Sequence, residues 1–156
     1  MLHNPLESIF RPNNHTGFSV RKDSRLIRPH LKERVVFLVE ENLFVRHSMK
    51  DFLEDLGLRI RAFSSGWDAV KYIDRHGVRP DVILFDLGHS IVQSWPALKQ
   101  LREELGEIPM IISSGLDDSL FKHEIDALGG CQYIQKPYTY ERLAKYISQC
   151  VNNKCS

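Results

Sequence analysis

Several short apolar stretches of this chain end in polar residues of types that bind cations or phosphate. The residues at these ends are Glu40, Glu41, Asp86, Ser114 and Lys136. If the stretches are parallel strands of one sheet, their carboxyl ends lie at one edge, where the ligand sites of such sheets are found. We therefore predict a single site at that edge.

The residue types at this edge favour phosphoryl chemistry with a divalent cation. Carboxylates that are brought together repel one another unless a cation joins them. Carboxylate oxygens with open coordination positions suit Mg²⁺, which keeps room for phosphate oxygens. The Ser114 hydroxyl and the Lys136 ammonium are suited to holding a phosphoryl group. A carboxylate at such a centre can itself be the nucleophile and form an aspartyl phosphate.

The strands that must position these residues are indicated by hydrophobic runs. Continuous apolar runs are typical of strands that are covered on both faces, as in a parallel sheet. Three such runs occupy residues 35–39, 82–85 and 110–112. We predict two weaker strands at 59–63, which alternates like an edge strand, and at 132–135.

Five helices are predicted between and after these strands. Their apolar residues recur three and four positions apart, which gives each helix one buried face. Glycine is typical just after a helix end, and the expected stops are Gly57, Gly77, Gly106 and Gly129. Strict alternation of strands and helices predicts an α/β fold, a doubly wound five-stranded parallel sheet with helices on both faces.

Residues 34–152, about three quarters of the chain, resemble the receiver domain of bacterial two-component response regulators. The matching features follow in order, each at the end of its predicted strand. They are the acidic pair Glu40-Glu41, Asp86 closing PDVILFD, Ser114 in PMIISSG, and Lys136-Pro137 after Gly129-Gly130. The resemblance implies a flavodoxin-like sheet with strand order 2-1-3-4-5.

The same resemblance implies a phosphoacceptor and a metal site. Asp86 would accept a phosphoryl group from a sensor histidine kinase or a phosphotransfer protein. Mg²⁺ would be bound by Glu41, Asp86 and the backbone carbonyl of Gly88, and Glu40 would act mainly through metal-bound water. The protein would thus be a phosphoacceptor switch and not an enzyme.

The resemblance also implies how the phosphorylated state is read. Ser114 would rotate to bind the phosphoryl oxygens together with Lys136, and Tyr133 would be the switch aromatic. The output surface would comprise the fourth helix, fifth strand and fifth helix, roughly residues 117–152. Its expected partner is a downstream effector protein, or a second copy of the chain in a homodimer.

Three features depart from the usual pattern of the family. Glu41 replaces an aspartate, which places its carboxylate about one bond farther from the backbone, and Mg²⁺ demands near-ideal geometry. His89-Ser90 replaces the usual methionine and proline, and Gln93-Ser94 the usual Asp-Gly pair. These departures leave a second interpretation open, a degenerate receiver that acts as a phosphorylation-independent protein-binding module.

The lifetime of the phosphorylated state also follows from the resemblance. Gly88 and Leu116 occupy the two positions whose side chains usually position the hydrolytic water. Neither a glycine nor a leucine can do so. We therefore predict slow self-dephosphorylation.

Composition limits the class of protein. The 156 residues suit one ordinary domain, and a net charge of +1 gives no reason to expect direct binding of nucleic acid. No apolar run is long enough for membrane insertion. The three cysteines, Cys131, Cys150 and Cys155, form an odd set without a signal-like segment near Met1, which favours a cytoplasmic location.

The chain is predicted to have three parts. Residues 1–33 lack a sustained period and carry six basic against three acidic residues, so we expect a flexible basic N-terminal arm. Residues 34–152 form the receiver domain, and 153–156 a C-terminal tail. Because the chain ends soon after the fifth predicted helix, we expect the effector to be another protein.

Overall fold

The computed structural model describes residues 29–152 except His89, Asp118 and Leu120. Most of the predicted arm, residues 1–28, therefore lies outside the described residues. The predicted tail at 153–156, with Cys155, also lies outside them.

Five parallel strands form one sheet in the order β2-β1-β3-β4-β5. Their bounds are β1 Val35–Val39, β2 Arg59–Phe63, β3 Val82–Asp86, β4 Met110–Ser114 and β5 Cys131–Gln135. The predicted fold class and strand order are thus confirmed. The hydrophobic runs located the strands to within one or two residues.

Five helices connect or follow the strands. They are α1 Leu43–Asp55, α2 Gly66–His76, α3 Ile91–Leu105, α4 Lys122–Leu128 and α5 Tyr140–Val151. Local chemistry fixes their ends: Asn42 Oδ1 accepts hydrogen bonds from the amides of Phe44 and Val45 at 3.0 and 3.1 Å. Gly77 ends α2 with φ +61°, a conformation that suits glycine. None of the helices in the described part of the chain is long and apolar enough to span a membrane.

The buried residues form two layers, one on each face of the sheet. Leu38, Leu84 and Ile111 point to the layer that α1 and α5 cover. Phe37 and Phe85 point to the layer that α2, α3 and α4 cover. Because neighbouring residues of a strand face opposite sides, both sides of each central strand must be apolar. This is why the strands appear in the sequence as continuous apolar runs.

The α2–α3 contact is close enough to require a glycine. A methyl group on Gly66, the first residue of α2, would lie 2.7 Å from Ala97 Cβ and 2.8 Å from the Phe85 ring. Both neighbours are buried. The first turn of α2 can therefore approach β3 and α3 only because residue 66 lacks a side chain.

Residues just before β1, within the predicted arm, are packed onto the domain. Pro29–Leu31 form a single 3₁₀ turn, and Leu31 is completely buried in the layer under α5. The His30 ring nitrogen Nε2 lies 2.7 Å from Ser148 Oγ on α5. The packed region therefore extends N-terminal to the expected boundary at residue 34.

Candidate functional site

Three charged side chains meet at the carboxyl edge of the sheet. Glu40 follows β1, Asp86 ends β3 and Lys136 follows β5. Lys136 Nζ pairs with Asp86 Oδ2 and lies 3.6 Å from Glu40 Oε2. The side chains of Glu40 and Asp86 are only 4% and 7% exposed, whereas that of Lys136 is 36% exposed. The site is thus a largely buried pair of carboxyl groups beside one partly exposed cation, Lys136.

The strand register explains why these two carboxyl groups meet. Leu38 of β1 pairs with Leu84 of β3. Two residues farther along each strand, Glu40 and Asp86 point to the same side of the sheet as those leucines. Both carboxyl groups therefore lie above the layer that α1 and α5 cover.

The two carboxyl groups have different proton affinities. Burial raises the pKa of Glu40 to about 7, and a hydrogen bond with Asp86 acts in the same direction. Burial also acts upward on the pKa of Asp86, but hydrogen bonds from Glu40, Lys136 and the Gly88 amide outweigh it, so this pKa is lowered. Asp86 is therefore the ionised member of the pair, and Glu40 keeps its proton below about pH 7.

Lys136 supplies the cation that the crowded carboxylates require. Burial disfavours its charged form, but the hydrogen bond to Asp86 and the charges of Asp86 and Glu40 raise its pKa overall. Its backbone amide donates to Ser114 O at 2.8 Å, which ties the end of β5 to the end of β4. Lys136 thus reaches Asp86 from a backbone that is itself held in place.

The predicted ligand Glu41 lies beside the buried pair and is not part of it. The residue is exposed, and its carboxylate lies beside Gly88: a methyl group on Gly88 would be 2.9 Å from Glu41 Oε1. Gly88 has φ +63°, and its amide donates to Asp86 Oδ1 at 2.7 Å. Glu41, Gly88 and Asp86 therefore border one space.

In the described part of the chain, no three His, Cys, Asp or Glu side chains form a group that could hold a metal ion. The atoms at the site are nevertheless of the type that Mg²⁺ prefers, namely carboxylate and carbonyl oxygens. Glu40 Oε2 is buried and accepts no hydrogen bond from the described donors, so it can bond to the Asp86 carboxyl only by carrying a proton itself. Such an oxygen is suited to a proton, a water molecule or a cation.

Ser114 and Tyr133 lie beside the site, next to the segment that follows β4. Ser114 is completely buried, and its Oγ accepts from the Leu116 amide at 3.1 Å. The Tyr133 hydroxyl donates to Leu116 O, and its ring meets Phe121 edge-on at 5.7 Å. Both predicted switch residues therefore contact the segment that follows β4.

Sequence reasoning missed two groups that shape the site. The Arg46 guanidinium donates to the carbonyl oxygens of Glu40 and Glu41 at 2.7 and 3.1 Å, which fixes the backbone after β1. Ser113 Oγ donates to the Tyr138 hydroxyl at 3.1 Å. No local pattern joins residues 113 and 138, so only the fold shows this contact.

An open groove of about 610 Å³ lies between β5 and α5. It is lined by Gln132, Tyr133, Arg142, Lys145, Tyr146 and Gln149. The Arg142 guanidinium lies 5.8 Å from the centre of the Tyr146 ring. The lining of the groove includes two exposed cations, Arg142 and Lys145, and no acidic residue. Tyr133, also in the lining, donates to Leu116 O in the segment beside the site.

Comparison with known proteins identifies related sequences. The sequence model of the response regulator receiver domain matches residues 36–148. The virulence transcriptional regulatory protein PhoP of Salmonella typhimurium is 26% identical over 108 residues, which is 69% of this chain and 47% of that protein. The transcriptional regulatory protein CrdR of Helicobacter pylori is 25% identical over 122 residues, 78% of this chain and 56% of that protein. The chain spans about half the length of these curated relatives.

Solved structures share the fold. The chemotaxis response regulator CheY4 of Vibrio cholerae superposes with a TM-score of 0.66 at 21% identity, covering 76% of this chain and 99% of that one. The receiver domain of the Francisella response regulator 1452 gives a TM-score of 0.67 at 22% identity, covering 78% and 99%.

Proposed function

The chain belongs to the response regulator receiver domain family of two-component signalling, and on that premise we propose that Asp86 accepts a phosphoryl group from a sensor histidine kinase or a phosphotransfer protein. The observation that supports this proposal best is the state of Asp86. Its carboxyl is largely buried, paired with Lys136, and kept ionised by a lowered pKa. An ionised carboxylate is a competent nucleophile toward phosphorus.

The transfer exchanges one bond to phosphorus for another. An Asp86 carboxylate oxygen attacks the phosphorus of a phosphohistidine, a P–O bond forms, and the P–N bond breaks. The imidazole leaves with the bonding electron pair and takes up a proton. The ammonium of Lys136 neutralises charge on the moving phosphoryl oxygens, which is the main contribution a protein makes to this reaction.

The receiver family typically uses Mg²⁺, and the residues at this edge suit it. We propose that Glu41, Asp86 and the Gly88 carbonyl would bind the ion, with Glu40 acting through water. The buried Glu40 Oε2, which receives no hydrogen bond from the described donors, and the position of the Glu41 carboxylate beside Gly88 support this assignment. When bound, the ion supplies positive charge to the phosphoryl oxygens.

Phosphorylation would change the surface through the segment after β4. A phosphoryl group adds nearly two negative charges at Asp86. We propose that the Ser114 hydroxyl then leaves the Leu116 amide to bind the phosphoryl group, and that Tyr133 follows because its hydroxyl is bonded to Leu116 O. The adduct should also be long-lived, since Gly88 and Leu116 offer no side chain that could position a hydrolytic water.

The output would be read on the face formed by α4, β5 and α5. Tyr133 lines the groove between β5 and α5 and donates to Leu116 O in the segment after β4, so a movement of this ring changes the groove directly. We propose that a downstream effector protein, or a second copy of the chain in a homodimer, binds on this face.

Intact-mass spectrometry tests the phosphoacceptor. The protein is incubated with Mg²⁺ and acetyl phosphate, and we expect one phosphoryl group on the wild type. Asp86→Asn should gain none. The matched control, Asp51→Asn on the exposed side of α1, should behave as the wild type. Phosphorylation of Asp86→Asn to the wild-type extent would contradict the assignment.

A second candidate function is a phosphorylation-independent protein-binding module with the same fold. It is favoured by the exposure of Glu41 and by the absence, among the described residues, of three His, Cys, Asp or Glu side chains gathered to hold a metal ion. In this case the wild type would gain no phosphoryl group and would show no Mg²⁺ binding by titration calorimetry.

A further inference from the structure

A pair of hydroxyl groups, one buried and one partly buried, lies close to the proposed phosphoacceptor. Ser113 is 1% exposed, and its Oγ donates to the Tyr138 hydroxyl at 3.1 Å. The Tyr138 ring packs against the layer under α1 and α5. Burial raises the pKa of Tyr138, so this hydroxyl keeps its proton at ordinary pH.

The strand register places this pair next to Asp86. Ser113 of β4 is the register partner of Asp86 on β3. Partners in a parallel sheet point to the same side, and so do residues two apart in one strand. The partners two residues earlier, Leu84 and Ile111, both lie in the layer under α1 and α5. The Ser113 side chain therefore stands on the same face of the sheet as the Asp86 carboxyl, one strand away.

The same pair brackets Lys136. The Lys136 amide donates to Ser114 O at 2.8 Å. Two residues after Lys136, the Tyr138 hydroxyl accepts the hydrogen bond from Ser113 Oγ. The backbone of Lys136 is thus tied on both sides to two consecutive residues of β4. Four links therefore connect these residues in a closed ring. Asp86 pairs with Ser113 in the sheet, and the Ser113 hydroxyl bonds to Tyr138. The backbone joins Tyr138 to Lys136, and Lys136 forms the ion pair with Asp86.

We propose that Ser113 and Tyr138 are positioning residues that hold the Lys136 ammonium against Asp86. A lysine has a flexible four-carbon stem, so the position of its ammonium depends on how firmly its backbone is held. The Ser113–Tyr138 bond supplies one of the two ties that hold it. The effect on phosphoryl transfer rests on the proposed function, whereas the effect on Lys136 does not.

The first test measures the rate of Asp86 phosphorylation by acetyl phosphate at saturating Mg²⁺. We expect Ser113→Ala and Tyr138→Phe to lower the maximal rate by about threefold to tenfold, since small displacements of a group that stabilises the transition state are costly. The half-saturating donor concentration should stay near the wild-type value. Ser113→Thr keeps the hydroxyl and should restore the rate.

A matched control separates positioning from general stability. The Tyr140 hydroxyl pairs with Ser48 Oγ at 3.0 Å, which is a hydroxyl pair between α1 and α5 away from Lys136. Tyr140→Phe should therefore leave the rate unchanged. The same Tyr138→Phe change is also made in a Lys136→Met background, where we expect no further loss. An equal loss in both backgrounds, or a lowered melting temperature with an unchanged rate, would overturn the proposal.

A second measurement decides the matter even if the wild type accepts no phosphoryl group. The ¹³Cε resonance of Lys136 is observed in lysine-labelled protein and assigned by its loss in Lys136→Met. We expect it to shift or broaden in Ser113→Ala and Tyr138→Phe, and to stay in place in Ser113→Thr and Tyr140→Phe. A resonance that is the same in all these variants would refute the positioning role, independently of whether Asp86 is a phosphoacceptor.

Discussion

At the scale of single residues, the centre of the site is a pair of buried carboxyl groups, of which Glu40 has a raised pKa and Asp86 a lowered one. The pKa of Glu40 is about 7 in the folded protein against 4.5 for an ordinary glutamate. An acid whose pKa rises on folding stabilises the fold below its ordinary pKa, and this contribution is lost as the pH rises through the folded value. Ionisation of Glu40 therefore weakens the fold progressively between about pH 4.5 and pH 7, and the whole loss is present above pH 7.

Replacing Glu40 by glutamine should remove this pH dependence. In the absence of Mg²⁺ we expect the free energy of unfolding of the wild type to fall between pH 5 and pH 8, by at most about 3 kcal/mol. Glu40→Gln should show a flatter profile and greater stability at pH 8, because its amide cannot ionise. Urea denaturation across this pH range measures both. Parallel profiles for the two proteins would show that Glu40 is not the group that titrates.

A second residue-scale prediction concerns Gly88. Alanine at this position would be strained by φ +63° and would place its methyl group 2.9 Å from Glu41 Oε1. Gly77 has φ +61° but nothing within 4 Å. We expect both Gly88→Ala and Gly77→Ala to lose about 1 kcal/mol of stability from backbone strain.

Only Gly88→Ala should weaken Mg²⁺ binding, because only there does the methyl group displace a proposed ligand. Titration calorimetry with Mg²⁺ alone, on both variants, measures the difference. If the two variants bind the ion equally well, Glu41 is not a ligand.

At the scale of elements, the α2–α3 contact depends on the missing side chain of Gly66. Gly66→Ala should cost about 1–3 kcal/mol, as overpacking of a tight core contact typically does. A methyl group on Gly115 would have no atom within 4 Å, and this glycine has no positive φ, so Gly115→Ala is the control. It should change stability by less than about 0.5 kcal/mol. Thermal and urea unfolding of both variants would measure this, and equal stabilities would refute the close contact.

The elements themselves could be predicted because their signals are local. The run Val35–Val39 is apolar at every position, since both sheet faces are covered, and the pattern alone locates the strand. The carboxyl ends of parallel strands share an edge, so the meeting of Glu40, Asp86 and Lys136 could also be anticipated.

What could not be predicted depends on side-chain direction and on distant partners. Glu41 follows Glu40 directly, yet it turns toward Gly88 and is exposed, because only every second residue faces the buried layer. Ser113 finds its partner Tyr138 in a segment 25 positions away. Neither fact has a signature in the local sequence.

At the scale of the whole molecule, the core includes a residue that lies before the first strand. Leu31 is completely buried in the layer under α5. Leu31→Ala should therefore cost about 2–5 kcal/mol, the usual range for a leucine lost from a core. Leu43, at the start of α1, is half exposed, and Leu43→Ala should cost far less. Comparable losses in urea denaturation would show that Leu31 is not part of the core.

The alternation along β4 has a consequence for the insertions that the protein can tolerate. Ser113 lies on the face of the sheet that α1 and α5 cover, beside Tyr138 and on the same side as the Asp86 carboxyl, and Ser114 follows it directly. A slip of one residue in the register of β4 would exchange these two serines. One residue inserted within β4, between Met110 and Ser113, would produce this slip at the site, whereas a residue added in the loop before β4 would leave the register of the buried run unchanged. The apolar run of β4 therefore also fixes which of the two serines lies beside Asp86.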